Sequence, residues 1–330
     1  METLFSAENP AFLSENAAET ERKRNHFLLT ELLKRIPDGE EYRLAESERK
    51  DCCTLLLSEH EESFYLEFYE KCVLGRMVTE RFDRRLFFTY DERYRLVNYA
   101  KMFLNRKKEQ GYMFGGTFNP MTGAHLAVIK KAAALPDCVI AVVPTCDDYL
   151  ACYKHLDSAN RISETTRYAI LTAATALLPN VIVDDIELST RTAYTSTFRT
   201  IFGLTEKYGL PFRYMIGSDD VKTLAVWFMP ERILGDYGLL VMQRTETQGE
   251  LREEIRRSPL LSRYQERIDF LRTDPAFSEY SGTGLREMLR AGDREGVKKY
   301  MGEEAFSELE EQAETSRDEI LAAYRKGQNA

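Results

Sequence analysis

The chain has 330 residues, with 54 Asp and Glu against 45 Lys and Arg for a formal charge of −9. At roughly 100–200 residues per domain that length predicts two domains, and 43% hydrophobic residues suffice for buried cores, which excludes a disordered or low-complexity chain. The acidic balance argues against a general nucleic-acid coat, no apolar run approaches the roughly 20 residues of a membrane span, and the first residues lack the basic start of a secretory leader, so a cytosolic protein is expected.

Residues 1–110 are predicted to form a mainly helical, aromatic-rich accessory domain. Ser14 can cap a helix with an apolar stripe of Phe27, Leu29, Leu32, Leu33 and Ile36, which Pro37-Asp38-Gly39 ends. Phe64, Tyr65, Phe68, Tyr69, Phe82, Phe87, Phe88, Tyr90, Tyr94, Tyr99 and Phe103 follow, many three or four apart with charges between. That spacing reads as helices packing aromatic faces. The interleaved arginines leave a stacking surface for bases as the lesser alternative. Asn105 to Gln110 is polar and charged, the best linker candidate.

From residue 111 the rhythm changes. Apolar runs at Tyr112–Phe114, Val139–Val143, Val181–Val183, Tyr214–Ile216 and Leu239–Met242 alternate with helical segments near Ala124–Leu135, Glu164–Leu178, Tyr194–Tyr208 and Asp219–Leu224. In the third helix Tyr194, Phe198, Ile201, Phe202 and Thr205 share a face, and Gly209 with Pro211 ends it. Such alternation predicts an α/β domain over 111–302, a Rossmann-like, doubly wound parallel sheet with its ligand at the carboxyl ends of the strands. Residues 303–330 are Glu-rich and read as a solvated acidic helix or tail.

Directly after the first of these strands stands GGTFNPMTGAH, Gly115 to His125. The glycine pair allows close backbone approach to a ligand, Asn119-Pro120 turns the chain, and a helix beginning near Gly123 directs amides and its positive dipole end into the same space. Thr122 and His125, three apart, can both project from the first turn toward a phosphate. Neither a Walker loop nor GxGxxG is present. Among the six cysteines no CxxC pair occurs, and Cys146, Cys152 and His155 lack the fourth ligand and spacing of a zinc site, so no protein-held metal is expected.

The GGTFNPMTGAH stretch resembles the nucleotidyltransferase superfamily. Four further segments, in order, resemble the bacterial nicotinate mononucleotide adenylyltransferases: Lys154 with Ser163 and Arg167, RTAYTSTFRTIFGL from Arg191, FRYMIGSDDVKTLAVWF from Phe212, and YSGTGLR from Tyr280. The resemblance implies transfer of adenylyl from ATP to nicotinate or nicotinamide mononucleotide, with Mg²⁺ carried on the ATP. It implies His125, Thr122 and Arg286 as catalytic residues. Gly115, Gly116, Thr117, Phe118, Asn119, Lys154, Gly217, Asp219, Ser281 and Thr283 would bind the nucleotide, and Tyr194, Thr195 and Trp227 would line the mononucleotide pocket. Two positions depart from the family pattern: Ala124 stands at a motif glycine and Gly282 at a serine. The alternatives are a cytidylyl- or pantetheine-phosphate adenylyltransferase, or a non-catalytic nucleotide-binding module. Residues 1–110 lie outside the resemblance and are left as a place for a second copy of the chain or a protein partner.

Overall fold

The computed structural model describes residues 3–6, 42–45, 51–60, 63–74, 77–89, 93–105, 108–189, 196–243, 247–273 and 280–328. It divides into two compact units, Met1–Asn105 and Arg106–Ala330.

In the first unit, strands β1 (Thr3–Ser6), β2 (Tyr42–Ala45), β3 (Asp51–His60), β4 (Ser63–Leu74) and β5 (Met77–Thr89) form one sheet in chain order. β1 runs parallel to β2, and the remaining pairs are antiparallel. Helix α1 (Arg93–Leu104) follows. Among the described residues of this unit strand outweighs helix, against the predicted mainly helical domain. The aromatic run misleads because a separation of four, as in Phe64/Phe68 and Tyr65/Tyr69, returns to one side of a strand as well as to one face of a helix. The high β propensity of Phe and Tyr then decides. The helix predicted after Ser14 lies outside the described residues.

The second unit is built on a six-stranded parallel sheet: β6 (Gln110–Gly116), β7 (Cys138–Pro144), β8 (Val181–Val183), β9 (Phe212–Gly217), β10 (Leu239–Gln243) and β11 (Ile268–Arg272), in the order β11-β10-β9-β6-β7-β8. The order reverses at the β6–β9 pair, as in a doubly wound fold, and opens a crevice at the carboxyl ends of those two strands. Every residue of β7, β8 and β10 is buried, which is why those segments read as continuous apolar runs rather than alternating ones. β11 has no counterpart among the expected strands; its sequence, IDFLR, is short and charged and it occupies an edge of the sheet.

The crossover helices are α2 (Gly123–Ala133), α3 (Asp147–Cys152), α4 (Glu164–Ala174) and α5 (Thr197–Tyr208), followed by α6 (Gln248–Arg257) and four C-terminal helices, α7 (Gly282–Ala291), α8 (Arg294–Met301), α9 (Glu303–Thr315) and α10 (Glu319–Gln328). Ser196 caps α5 and Gly209, at φ 67°, ends it. Its buried face is Thr200, Ile201, Leu204 and Tyr208, while Phe202, expected beside Ile201, is 49% exposed. The acidic end is helical, the first of its two readings, and its apolar faces are packed. α9 packs on α4 and α10 on α7, burying Phe306, Leu309, Ile320, Leu321 and Tyr324, so its glutamates mostly occupy the outer faces of helices integral to this unit.

Beside the end of β8, buried Asp184 accepts hydrogen bonds from Lys207 Nζ at 3.1 and 2.9 Å, Tyr208 Oη at 2.7 Å and the Ile186 amide at 2.9 Å. Burial, reinforced by Asp184, pushes the Tyr208 phenol well above its ordinary pKa. Loss of a hydrogen bond to a buried carboxylate costs about 1–3 kcal/mol. Tyr208→Phe is therefore expected to lower stability by that amount in urea unfolding with an unchanged m-value; an unchanged midpoint would show that this cluster does not hold α5 to the sheet.

Candidate active site

The carboxyl ends of β6, β7 and β9 open into a cleft of about 560 Å³. Gly115, Gly116, Thr117, Phe118, Thr122, Ala124 and His125 form one wall, and Lys154, Gly217 and Trp227 also reach it. A Cβ at Gly116 would stand 3.1 Å from the Phe118 ring, so glycine there makes room for that ring to fold beneath the turn. Phe118 adopts φ 44°, a backbone region uncommon for a bulky residue. Its ring is buried edge-on against Phe114, with centroids 5.5 Å apart, and against His125 at 5.2 Å.

Thr122 is the N-cap of α2 and His125 the third residue of its first turn. The Thr122 amide donates to His125 Nδ1 at 3.0 Å, and the Thr122 hydroxyl lies 2.9 Å from the same nitrogen. A backbone amide can only donate, so Nδ1 is the acceptor and the neutral ring carries its proton on Nε2. Instead of projecting side by side, the two residues are joined, and fully buried Thr122 sets the tautomer of the imidazole that lines the cleft.

Asn119 does not line the cleft. Its Nδ2 donates to the Asn160 carbonyl at 2.9 Å, its Oδ1 accepts from the Ile162 amide at 2.8 Å, and its carbonyl accepts from Arg286 Nη1 at 2.8 Å. Arg286 also donates to Thr283 Oγ1 at 3.1 Å, while Ser281 caps α7 by accepting from the Gly284 amide. Ser281, Thr283 and Arg286 thus gather at the start of α7 against the motif loop rather than on the cleft wall. Partial burial, then neighbouring Arg290, lowers the Arg286 pKa. A Cβ at Gly282 would lie 3.4 Å from Arg286 Nη1, an ordinary contact, so the missing serine side chain is not excluded by space.

On the other side of the cleft, Trp227 donates from Nε1 to Thr223 Oγ1 at 3.1 Å and meets Tyr214 edge-to-face at 5.7 Å. Burial, then Asp220 and Glu187, raises the Tyr214 phenol above its ordinary pKa. Asp219 is exposed and off the cleft wall, which Asp220 reaches instead. Tyr194 and Thr195 lie outside the described residues. Sequence reasoning missed Tyr149, Glu187, Thr197, Tyr214, Asp220 and Tyr280, all on the cleft wall. For Tyr214 the signal was available, since it belongs to a strand already recognised. Glu187 follows β8 closely and accepts from Thr200 Oγ1 at 2.7 Å. Among the described residues no group of three or more His, Cys, Asp or Glu side chains is arranged to hold a metal ion, and no helix is long and apolar enough to cross a membrane.

The pattern of the Cytidylyltransferase-like family matches residues 113–288, from within β6 through the start of α7. The chain belongs to the cytidylyltransferase-like family. It is a nucleotidyltransferase by that membership, and the matched span contains every strand end that borders the cleft. Among its relatives, a probable nicotinate-nucleotide adenylyltransferase of Serratia proteamaculans is 28% identical over 192 residues, covering 54% of this chain and 84% of the relative. A protein of the same description from Trichlorobacter lovleyi is 31% identical over 156 residues, 46% of this chain and 69% of the relative. Among solved structures, Plasmodium falciparum nicotinic acid mononucleotide adenylyltransferase complexed with NaAD aligns at 16% identity and a TM-score of 0.47, over 62% of this chain and 95% of that one.

The capping arrangement is checkable without any ligand. Two-bond ¹⁵N–¹H correlations on the neutral protein are expected to find the His125 proton on Nε2, and Thr122→Ala, which keeps the amide but removes the hydroxyl, is expected to leave that tautomer in place. A proton on Nδ1 would contradict the geometry of this nucleotidyltransferase's first helical turn.

Proposed function

We propose that this nucleotidyltransferase moves an adenylyl group from ATP to nicotinate mononucleotide, or to its nicotinamide counterpart. A phosphate oxygen of the mononucleotide attacks the α-phosphorus of ATP, the bond to the β-phosphate oxygen breaks, and pyrophosphate leaves as the dinucleotide forms. The observation that carries this reading is one cleft shared by a His125 held as an Nε2–H donor and by Trp227, the sole tryptophan. The chemistry needs no covalent intermediate. It needs positioning and neutralisation of developing charge, and fixed donors around phosphate supply both.

In this reading His125 holds the α- or β-phosphate, with Thr122 maintaining its tautomer. Gly115, Gly116, Thr117 and Phe118 present backbone close to the triphosphate, beside the amino end of α2, and Lys154 adds charge. Ser281, Thr283 and Arg286 take the pyrophosphate; two guanidinium nitrogens of Arg286 already bond to Asn119 and Thr283, which fixes its plane and leaves further donors. Asn119 supports from behind. Gly217, on the cleft wall, serves the adenosine ribose. Trp227 stacks on the pyridine ring, with Tyr194 and Thr195 closing the same pocket. Mg²⁺ travels with ATP and offsets phosphate charge; Glu187 and Asp220 on the cleft wall are too few for a carboxylate cage. A binding-only module is the second reading, favoured by the Ala124 methyl on the cleft wall at the first turn of α2.

Purified protein with ATP, Mg²⁺ and either mononucleotide is expected to release pyrophosphate and form the dinucleotide. ATP binding without product from either mononucleotide would overturn the transfer reading in favour of the second. His125→Ala is expected to lower kcat by about 10²–10³, the usual effect of removing one fixed donor to developing charge. Trp227→Ala is expected to raise KM for the mononucleotide alone, about 5- to 150-fold, matching stacking worth roughly 1–3 kcal/mol. Ala124→Gly is expected to raise kcat/KM.

A further inference from the structure

Arg167, on α4, is among the largest fully buried side chains of the described residues and does not line the cleft. Its Nε donates to the Ile162 carbonyl at 3.0 Å, Nη1 to the Thr117 carbonyl at 2.8 Å, and Nη2 to the Thr145 carbonyl at 2.7 Å and to Asp147 Oδ1 at 2.9 Å. Those carbonyls belong to the loop after β6, the loop after β7 and the segment leading into α4. Burying a guanidinium costs more than burying an apolar side chain of its size, and one carboxylate does not fully offset it. Burial lowers the Arg167 pKa, and Asp147 opposes that shift. A side chain kept in so costly a place is explained by geometry that an apolar residue cannot supply: a planar fork that reaches three carbonyls at once.

Two of the three lie at cleft-lining residues, Thr117 and Thr145. The peptide bond between Thr117 and Phe118 is trans, the one cis bond in this loop being Asn119-Pro120. In a trans unit the carbonyl and the following N–H point in opposite directions. Fixing the Thr117 carbonyl toward buried Arg167 therefore turns the Phe118 N–H away from it, on a residue that lines the cleft.

We propose that Arg167 is a positioning residue for nucleotide binding: by holding the Thr117 and Thr145 carbonyls it aims the backbone N–H of Phe118 at the phosphates of the bound nucleotide. This rests on the reading of the cleft as an ATP site. It assigns Arg167 no contact with substrate.

Two variants test it. Arg167→Lys keeps the charge and loses the fork. Asp147→Ala releases only one contact of Nη2 and is the milder change. Hydrogen exchange on the nucleotide-free protein is expected to quicken in Arg167→Lys over 114–122 and 144–148, with β9 and β10 unchanged. ATP affinity by calorimetry is expected to fall about tenfold or more, as misplaced binding groups typically cause, and about two- to fivefold in Asp147→Ala, while KM for the mononucleotide stays within about twofold. Exchange that quickens evenly across the sheet would make Arg167 a fold-holding residue only and overturn the proposal. So would unchanged loop exchange and ATP affinity in a folded Arg167→Lys or, where that variant does not fold, in Asp147→Ala. Failure of the unsubstituted chain to bind ATP would sink the proposed reaction instead, and the exchange measurement, made without nucleotide, would still report whether Arg167 sets the loop.

Discussion

The segment from Gly116 to Thr122 crosses the carboxyl end of a parallel sheet largely buried, and its backbone polar groups must find partners where water is scarce. The polar architecture on the motif side of the cleft answers that demand. Arg167 takes the Thr117 carbonyl, Arg286 takes that of Asn119, and the Thr122 amide finds the imidazole of His125. Asn119, in turn, uses both ends of its amide to fasten the loop to Asn160 and Ile162. Each partner lies on a different element, so the loop is fixed only when α2, α4 and α7 are all packed.

This explains how an acidic chain can present a surface fit for anions. The formal charge of −9 belongs to the molecule as a whole, and few formal cations stand on the cleft wall. Much of the positive character comes instead from oriented amides and the amino end of α2, partial charges that are already in place before a ligand arrives. Arg167 contributes through the carbonyls it holds, and Arg286 holds that of Asn119 as well. Since those carbonyls are bound from behind, the peptide units around them keep one orientation, the preorganisation that the proposed transfer needs.

The six-stranded sheet was largely legible because β7, β8 and β10 are buried runs bounded by turn residues, and because GGTFNPMTGAH marks the end of β6. β11 was not, since a five-residue edge strand that carries an Asp and an Arg, as IDFLR does, is too short to show a periodic signature. In the first unit a four-residue spacing of aromatics fits a strand as well as a helix, so the sequence pattern alone does not separate the two. At the site the motif residues were recognisable, but their division of labour was not. Nothing local to Asn119 says that it will face Asn160 and Ile162 rather than a ligand, and nothing local to Thr122 says that it will be joined to His125. Those assignments depend on partners that only folding brings near, as with Arg286 and Asn119, far apart in sequence.

The C-terminal helices give this arrangement an unexpected dependence. Asp318 accepts hydrogen bonds from the Ser163 amide at 3.0 Å and its hydroxyl at 3.1 Å, and Glu319 accepts from Ser158 at 2.6 Å. They grip the same segment that Asn119 and Arg167 use as an anchor, while α9 covers the outer side of α4. The family pattern matches as far as residue 288, yet Asp318 and Glu319, about thirty residues further on, hold the segment behind the motif loop. The end of the family match and the end of the part that supports the cleft are therefore different lines.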